Sequence, residues 1–368
     1  MSDITTHRPR LTIDLAAVAE NYRTLAAMRP KADMAAVVKA DCYGLGVDRI
    51  APALFAAGCR AFFVAYFFEG VHLREILSRV DPEGTATICI FNGPARDDVD
   101  DFTTHGLTPV LNTLEQMRLW RQTGNGPAII HIDTGMNRLG LTGREIDEII
   151  SGEAYRSLEI SYLMSHFAFG ANAADPHNAG QAEAFSRTAT SLRKIWPSAK
   201  LSLSASAGLF LPLEIEEALI RPGVALYGAG PQDHPEQALK TVASLHAPIL
   251  QIRDIAPGET CGYSGTFTAQ RPTRLATIGI GYADGYCRAL SNKGVVRING
   301  DDCPVVGNVS MDLIIADISD IEGDARVGDM AECFGDNIRV EDHAARAGTI
   351  AYEVFTMLGG RIQKIYRT

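Results

Sequence analysis

Between residues 11 and 227, short apolar runs recur with helical patterns between them. They lie near Ala35–Val38, Ala61–Tyr66, Ala86–Phe91, Pro109–Leu111, Ala128–Ile132, Ile160–Met164, Leu201–Leu203 and Ile220–Leu226. Each is almost continuously hydrophobic rather than alternating, as strands covered on both faces must be. Strands that alternate with helices read as βα units in a parallel sheet, and eight such units predict a closed, TIM-like (β/α)8 barrel. Helix punctuation fits this frame: Asp48 is expected to cap a helix carrying Ile50 and Leu54 that stops at Gly58, and Thr113–Gln122 is a second helix ended by Gly124. An open doubly wound sheet is the alternative, but Gly44-Leu45-Gly46 lacks the third glycine of the dinucleotide fingerprint.

The pattern changes after Tyr227. Gly228-Ala229-Gly230-Pro231 and the polar stretch through Lys240 read as a linker. Beyond it, strand-like runs at Ile249–Ile252, Leu275–Gly279, Val295–Ile298, Leu313–Ile318 and Arg361–Tyr366 are separated by Gly, Pro, Asn and Asp, with one helical stretch around Val340–Ala347. The expected organisation is a barrel over residues 1–240 and a mostly β domain over 241–368.

Length agrees, since 368 residues exceed what one core usually serves. A net charge of -10 with no Lys/Arg-rich run argues against nucleic acid and leaves a small molecule as the expected partner. The N-terminus is polar, and no apolar run approaches the roughly 18 residues of a membrane helix, so a cytoplasmic protein is expected. Seven cysteines without a C-x-x-C pair suggest neither a metal site nor disulfides, but reduced, mostly buried thiols.

The candidate chemistry starts at Val37-Val38-Lys39-Ala40-Asp41-Cys42-Tyr43-Gly44-Leu45-Gly46, which puts a lysine at the C-terminal end of the first predicted barrel strand. Barrels of this kind build their active sites at that end. A lysine amine in a dry pocket can lose its proton and condense with an aldehyde.

These residues resemble the bacterial alanine racemases, whose members carry a lysine, a tyrosine four residues on, and two nearby glycines. The resemblance continues through Asp133-Thr134-Gly135-Met136-Asn137-Arg138-Leu139-Gly140, Ser165-His166-Phe167-Ala168, Arg221-Pro222-Gly223-Val224-Ala225-Leu226-Tyr227-Gly228, Gly262-Tyr263-Ser264-Gly265-Thr266, Gly281-Tyr282-Ala283-Asp284-Gly285, Val309-Ser310-Met311-Asp312 and Ala351-Tyr352-Glu353. It implies pyridoxal 5'-phosphate linked to Lys39, with the phosphate held by Tyr43, Ser206, Tyr352 and backbone N–H groups near Gly223 and Val224. It also implies Arg221 at the pyridine nitrogen, where a group that cannot accept a proton leaves the ring a weaker electron sink than an aspartate would.

Racemisation needs a base on each face of the α-carbon. The resemblance assigns these to Lys39 and to Tyr263, the latter reaching the active site of the partner subunit in a homodimer, with His166 hydrogen-bonded to the tyrosine. Arg138 is implied to position the substrate carboxylate, Met311 to offer it a backbone N–H, and Tyr282 to narrow the entry; Asp312 lies beside them. Three positions depart from the family pattern. Asn137 stands where most relatives have Gly, and Gly307-Asn308 where Gly-Arg is common. His131 stands where many relatives have a carbamylated lysine that orients the arginine, so a chloride, a water or another acid is left to fill that role. The competing functions are a racemase of other or broader specificity, a non-enzymatic pyridoxal-phosphate carrier, which the second domain argues against, and a decarboxylase relative.

Overall fold

The computed structural model describes residues 8–123, 126–230 and 239–368. Gly124 and Pro231, read above as a helix stop and part of a linker, lie outside the described residues. Seven parallel strands, Ala36–Val37, Ala61–Val64, Thr87–Ile90, Leu107–Leu111, Ala128–His131, Ile160–Met164 and Lys200–Ser202, pair in chain order. Leu219–Ile220 pairs with Asp33–Met34 at one side of this sheet. On the other side, Ala218 N donates to Leu201 O (2.8 Å) and Arg221 N to Ser204 O (2.9 Å), so the sheet curls into a TIM-like barrel. The apolar runs are interior on both faces, as their unbroken hydrophobicity requires: Phe62, Phe63, Ile88, Ile90, Val110, Leu111 and Ile130 are fully buried.

Two local expectations are corrected. The run Ile220–Leu226 is a strand only at Leu219–Ile220; Pro222 has no N–H for a ladder, and Val224–Tyr227 winds into a short 3-10 helix instead. Asp48 does not cap its helix. The helix is Val47–Ala56, with Asp48 inside the first turn, and the carboxylate that takes the leading amide is Asp41, from Val47 N at 2.7 Å.

The C-terminal part is mostly β, as the pattern suggested. Its axis is the long strand Ala243–Ile255, which pairs antiparallel with Arg10–Asp14, Met330–Phe334 and Thr273–Ile278. The chain's last strand, Gln363–Arg367, runs parallel to its first, Arg10–Asp14. Arg10–Asp14 and Gln363–Arg367 are therefore both woven into the β part, and one contiguous apolar core runs from it into the barrel. This brings Lys364 and Tyr366 against the turn that follows Lys39: Lys364 Nζ lies 3.2 Å from Asp41 Oδ2, and Tyr366 Oη donates to Leu45 O at 2.9 Å. All seven cysteines are free thiols and six are buried.

Candidate active site

A cavity of about 470 Å³ opens at the C-terminal ends of the barrel strands and is lined by Lys39, Tyr43, Arg138, His166, Ser206, Arg221, Gly223 and Tyr352, eight residues that the sequence had pointed to. His131 lines it too, as do Phe91 and Asn92, and no aspartate or glutamate is among the lining residues.

Lys39 heads an unusual piece of backbone. Ala40, Asp41, Cys42 and Tyr43 all have positive φ, from 51° to 59°, so four successive L-residues make one left-handed turn. Such a conformation costs roughly 1–2 kcal/mol per residue. It is closed by Gly44 N to Ala40 O (2.7 Å) and by Gly46 N to Asp41 O (2.9 Å). The turn brings the Lys39 and Tyr43 side chains into the same cavity although they are only four residues apart on a non-helical path. Burial, then the Arg138 guanidinium, hold the Lys39 ammonium below the usual lysine range, while Glu69 acts in the opposite direction. Its Nζ lies 5.6 Å from the centre of the Phe91 ring.

At the far side, Ser206 Oγ accepts from the backbone N–H groups of Gly223 (2.9 Å) and Ala225 (3.2 Å) at the start of the 3-10 helix. The Tyr43 hydroxyl occupies the space a side chain at Gly223 would need, 2.2 Å from where a Cβ would stand. The Tyr43 ring packs between those of Tyr227 and Tyr352, with centroids 5.1 and 5.9 Å away. Val224 is buried behind this cradle and lines a smaller adjoining cavity with Ser206 and Tyr352 rather than the main one.

Arg221 is only 2% exposed, and burial lowers its guanidinium to about 10, still charged at neutral pH. It donates to Ser165 O (2.7 Å), to Leu203 O (3.4 Å) and to Ser202 Oγ. Burial and the positive neighbours Arg221 and Arg138 push the imidazoles of His131 and His166 down to about 4 and about 3, so both are neutral in the ordinary working range. For His131 the tautomer follows from geometry. Asn112 Nδ2 donates to Phe91 O (2.9 Å) and Val110 O (3.1 Å), which leaves its Oδ1 as an acceptor 2.8 Å from His131 Nδ1. The proton is thus on Nδ1 and the remaining ring nitrogen is a bare acceptor, unable to serve as an anion or to bind one. Asn112 was not singled out from the sequence. The available signal was a polar side chain directly after the apolar run Pro109–Leu111, at the end of a barrel strand where function is built.

Arg138 sits on a loop whose shape comes from Asp133, which accepts from the amides of Gly135, Met136 and Asn137 at 2.9 to 3.1 Å. Asn137 has φ 54°, a left-handed position that asparagine tolerates better than most residues, which accounts for its standing where glycine is common.

Tyr263, Tyr282 and Met311 are not in the cavity lining of their own chain. They are exposed on the β part, Tyr263 at 73%, and the hydrogen bonds around them tie the loops of that face together. Asn308 Nδ2 donates to Tyr263 O (2.8 Å), which fixes the turn that carries the tyrosine and gives the Gly307-Asn308 departure a local role. Tyr282 N donates to Ser310 O and Ala283 N to Met311 O, both at 3.0 Å, an approach so close that a Cβ at Gly281 would lie 2.4 Å from the Met311 carbonyl. Arg361, another residue not foreseen, bridges Asp284 (2.9 Å) and Asp312 (2.8 Å) behind these loops.

The model of the alanine racemase N-terminal domain matches residues 13–231, and that of the C-terminal domain matches residues 242–366. The chain belongs to the alanine racemase family. It is similar to the alanine racemase of Methylobacterium nodulans, 40% identical over all of this chain and 98% of that one, and to the catabolic alanine racemase of Agrobacterium fabrum, 43% identical over 97% of this chain and 91% of that one. Among solved structures, the alanine racemase from Bartonella henselae with covalently bound pyridoxal phosphate superposes with a TM-score of 0.91 at 40% identity, covering 98% of this chain and 99% of that one. Among the described residues no helix is long and apolar enough to cross a membrane, and no cluster of three or more His, Cys, Asp or Glu side chains could hold a metal ion.

Proposed function

We propose that this protein is an amino-acid racemase that interconverts L- and D-alanine with pyridoxal 5'-phosphate held at Lys39, and that it works as a homodimer in the cytoplasm. The observation that carries this reading is one strand-end cavity that collects an amine base and an anion cradle, while Tyr263, the expected second base, lies exposed on the other part of the chain.

The residues present fit the cofactor. Ser206 Oγ already draws in the two amides at Gly223 and Ala225, the missing Cβ of Gly223 leaves room for the Tyr43 hydroxyl, and no carboxylate lines the cavity to repel a phosphate. Tyr43, Ser206, Tyr352 and the amides near Gly223 and Val224 would hold the phosphate, and Arg221 would face the ring nitrogen. When bound, pyridoxal phosphate supplies an aldehyde for the lysine amine and a conjugated ring that draws electron density from the substrate's α-carbon. Everything else falls to side chains. Lys39, whose ammonium burial and then Arg138 hold below the usual lysine range, removes or returns a proton at Nζ on one face of the substrate. Tyr263 of the second subunit does the same at its phenol oxygen on the other face, with neutral His166 as its hydrogen-bond partner. Arg138 takes the substrate carboxylate, and Met311 N and Tyr282 of the second subunit close the mouth. On this reading residues 1–240 are the cofactor-binding barrel and 241–368 complete the partner's site. The D-alanine produced would feed peptidoglycan; the name of the Agrobacterium relative supports alanine breakdown as a second physiological reading.

Subunit mixing tests the shared site. Lys39→Ala and Tyr263→Phe proteins should each lack racemisation by chiral analysis, and Tyr263→Phe should keep the visible absorbance of bound cofactor. Equal mixtures, allowed to exchange subunits, should recover roughly a quarter of wild-type activity, because about half of the dimers are mixed and each holds one intact site of two. Recovery of nothing would defeat the shared-site arrangement, and full turnover by Tyr263→Phe would defeat the two-base assignment. A panel of L-amino acids in the same assay separates alanine from broader specificity.

A further inference from the structure

We propose that Glu69 is a positioning residue for Lys39: its carboxylate fastens the left-handed turn behind the lysine to the neighbouring strand end and sets a negative charge against the lysine amine. This rests on the reading of Lys39 as a proton-handling amine given above.

Glu69 is the third residue of the helix Phe67–Leu77, which follows the strand Ala61–Val64. Its Oε2 accepts from Ala65 N (2.8 Å) and Tyr66 N (3.0 Å), which are the leading amides of its own helix start. Its Oε1 reaches across to Ala40 N at 2.6 Å, the first amide after Lys39. One half-buried carboxylate thus ties the ends of two adjacent barrel strands, paired at Val37 and Phe63, through charge-assisted bonds. The opposite side of the turn is held by Asp41 through Val47 N and Lys364. A left-handed run of four L-residues persists only where its surroundings over-determine it, and these two carboxylates supply that.

The second half of the argument is charge. The groups that face the amine from the cavity wall are Arg138, Arg221 and the neutral His131 and His166, with no carboxylate among the lining residues. Burial and Arg138 favour the neutral amine, and Glu69 is the group that opposes them. A residue that must take up a proton as well as release it needs base strength, and Glu69 keeps the amine a stronger base than burial and Arg138 alone would leave it.

The test uses cofactor-free protein, with competitive labelling of Lys39 by acetic anhydride over a pH series read by mass spectrometry. In Glu69→Gln, labelling near neutral pH should rise several-fold and its midpoint should move to lower pH. Glu69→Asp, which withdraws the charge by one methylene, should move it the same way by less, and serves if the glutamine variant does not fold. Asp41→Asn loosens the same turn but removes no charge that bears on Lys39, so it should lower the melting temperature and leave the midpoint in place. Midpoints of both Glu69 variants coinciding with wild type, or an equal movement in Asp41→Asn, would overturn the proposal. Labelling requires neither cofactor nor turnover, so this outcome is separate from whether the protein racemises alanine.

Discussion

Gly223→Ala is a one-carbon change whose effect can be worked from the structure. Gly223 has a negative φ, -119°, so the substitution does not force a left-handed residue. The added Cβ would stand 2.2 Å from the Tyr43 hydroxyl and 3.0 Å from the ring carbon that bears it, so one of the two must move by more than an ångström. Tyr43 cannot swing freely, because it is 7% exposed and packed between the rings of Tyr227 and Tyr352. Overpacking of this kind costs about 1–3 kcal/mol. The same displacement withdraws a hydroxyl from the proposed phosphate cradle, and loss of one hydrogen bond to a charged group, worth about 1.5–3 kcal/mol, should weaken cofactor binding by roughly tenfold to a hundredfold. Urea unfolding of the cofactor-free protein reads the first effect, and titration with pyridoxal phosphate followed by visible absorbance reads the second. A double-mutant cycle sharpens the test: in a Tyr43→Phe background the hydroxyl is gone, so most of the stability loss caused by Gly223→Ala should disappear. If the two substitutions are additive, the clash is not where the cost arises and the reasoning fails.

Three further expectations follow from individual contacts. His131, His166 and His343 have imidazoles pushed down to between about 3 and about 4 by burial first, well below the ordinary value of 6.5. The unfolded chain therefore binds protons that the folded chain refuses, and the stability they contribute is complete above about pH 6.5 and lost as the pH falls toward 4, at about 1.4 kcal/mol per pH unit for each; urea midpoints that stay flat between pH 6.5 and 5 would contradict this. Asn112→Asp replaces the amide whose oxygen accepts from His131 Nδ1 with a carboxylate facing Nδ1 and two carbonyl oxygens, so it should raise the His131 titration in NMR spectra from about 4 and destabilise the fold; an unmoved titration would refute the link. Arg361→Ala frees Asp284 and Asp312 behind the Tyr282 and Met311 loops, and should raise KM for alanine more than it lowers kcat, whereas an equal fall in kcat and kcat/KM would place Arg361 in the chemistry instead.

The barrel was legible because its strands are buried on both faces and leave unbroken apolar runs such as Ile88–Ile90 and Ile129–Ile130, which a half-exposed strand would not carry. Where two rules compete, the sequence was less transparent. At Ile220–Leu226 the hydrophobicity continues but Pro222 and Gly223 end the strand, and the same apolar residues pack equally well from a short helix. The first strand, Arg10–Asp14, alternates buried and half-buried positions as any strand with one covered face does, and only its partners reveal that it belongs to the C-terminal sheet. The left-handed turn was invisible as well. Ala40, Asp41, Cys42 and Tyr43 have no common preference for positive φ, and the groups that impose it, Glu69 and Lys364, lie 29 and 323 residues from their partners Ala40 and Asp41.

The site itself was legible in its reactive groups and not in its supports, and the division has a physical cause. A lysine, two arginines and a histidine pointed into one apolar cavity stand out because charge is costly to bury without a partner. Burial first, and then the repulsion of the arginines that the cavity wall leaves without a carboxylate, lower Lys39 and keep His131 and His166 neutral. Relief must then come either from anions brought in by the ligands, a phosphate and a substrate carboxylate, or from carboxylates placed behind the wall, as Glu69 is behind Lys39. Such second-layer groups are ordinary helix and loop residues in sequence, and only the fold shows that Asn112, Glu69 and Arg361 each decide the state or place of a group that the motifs announce.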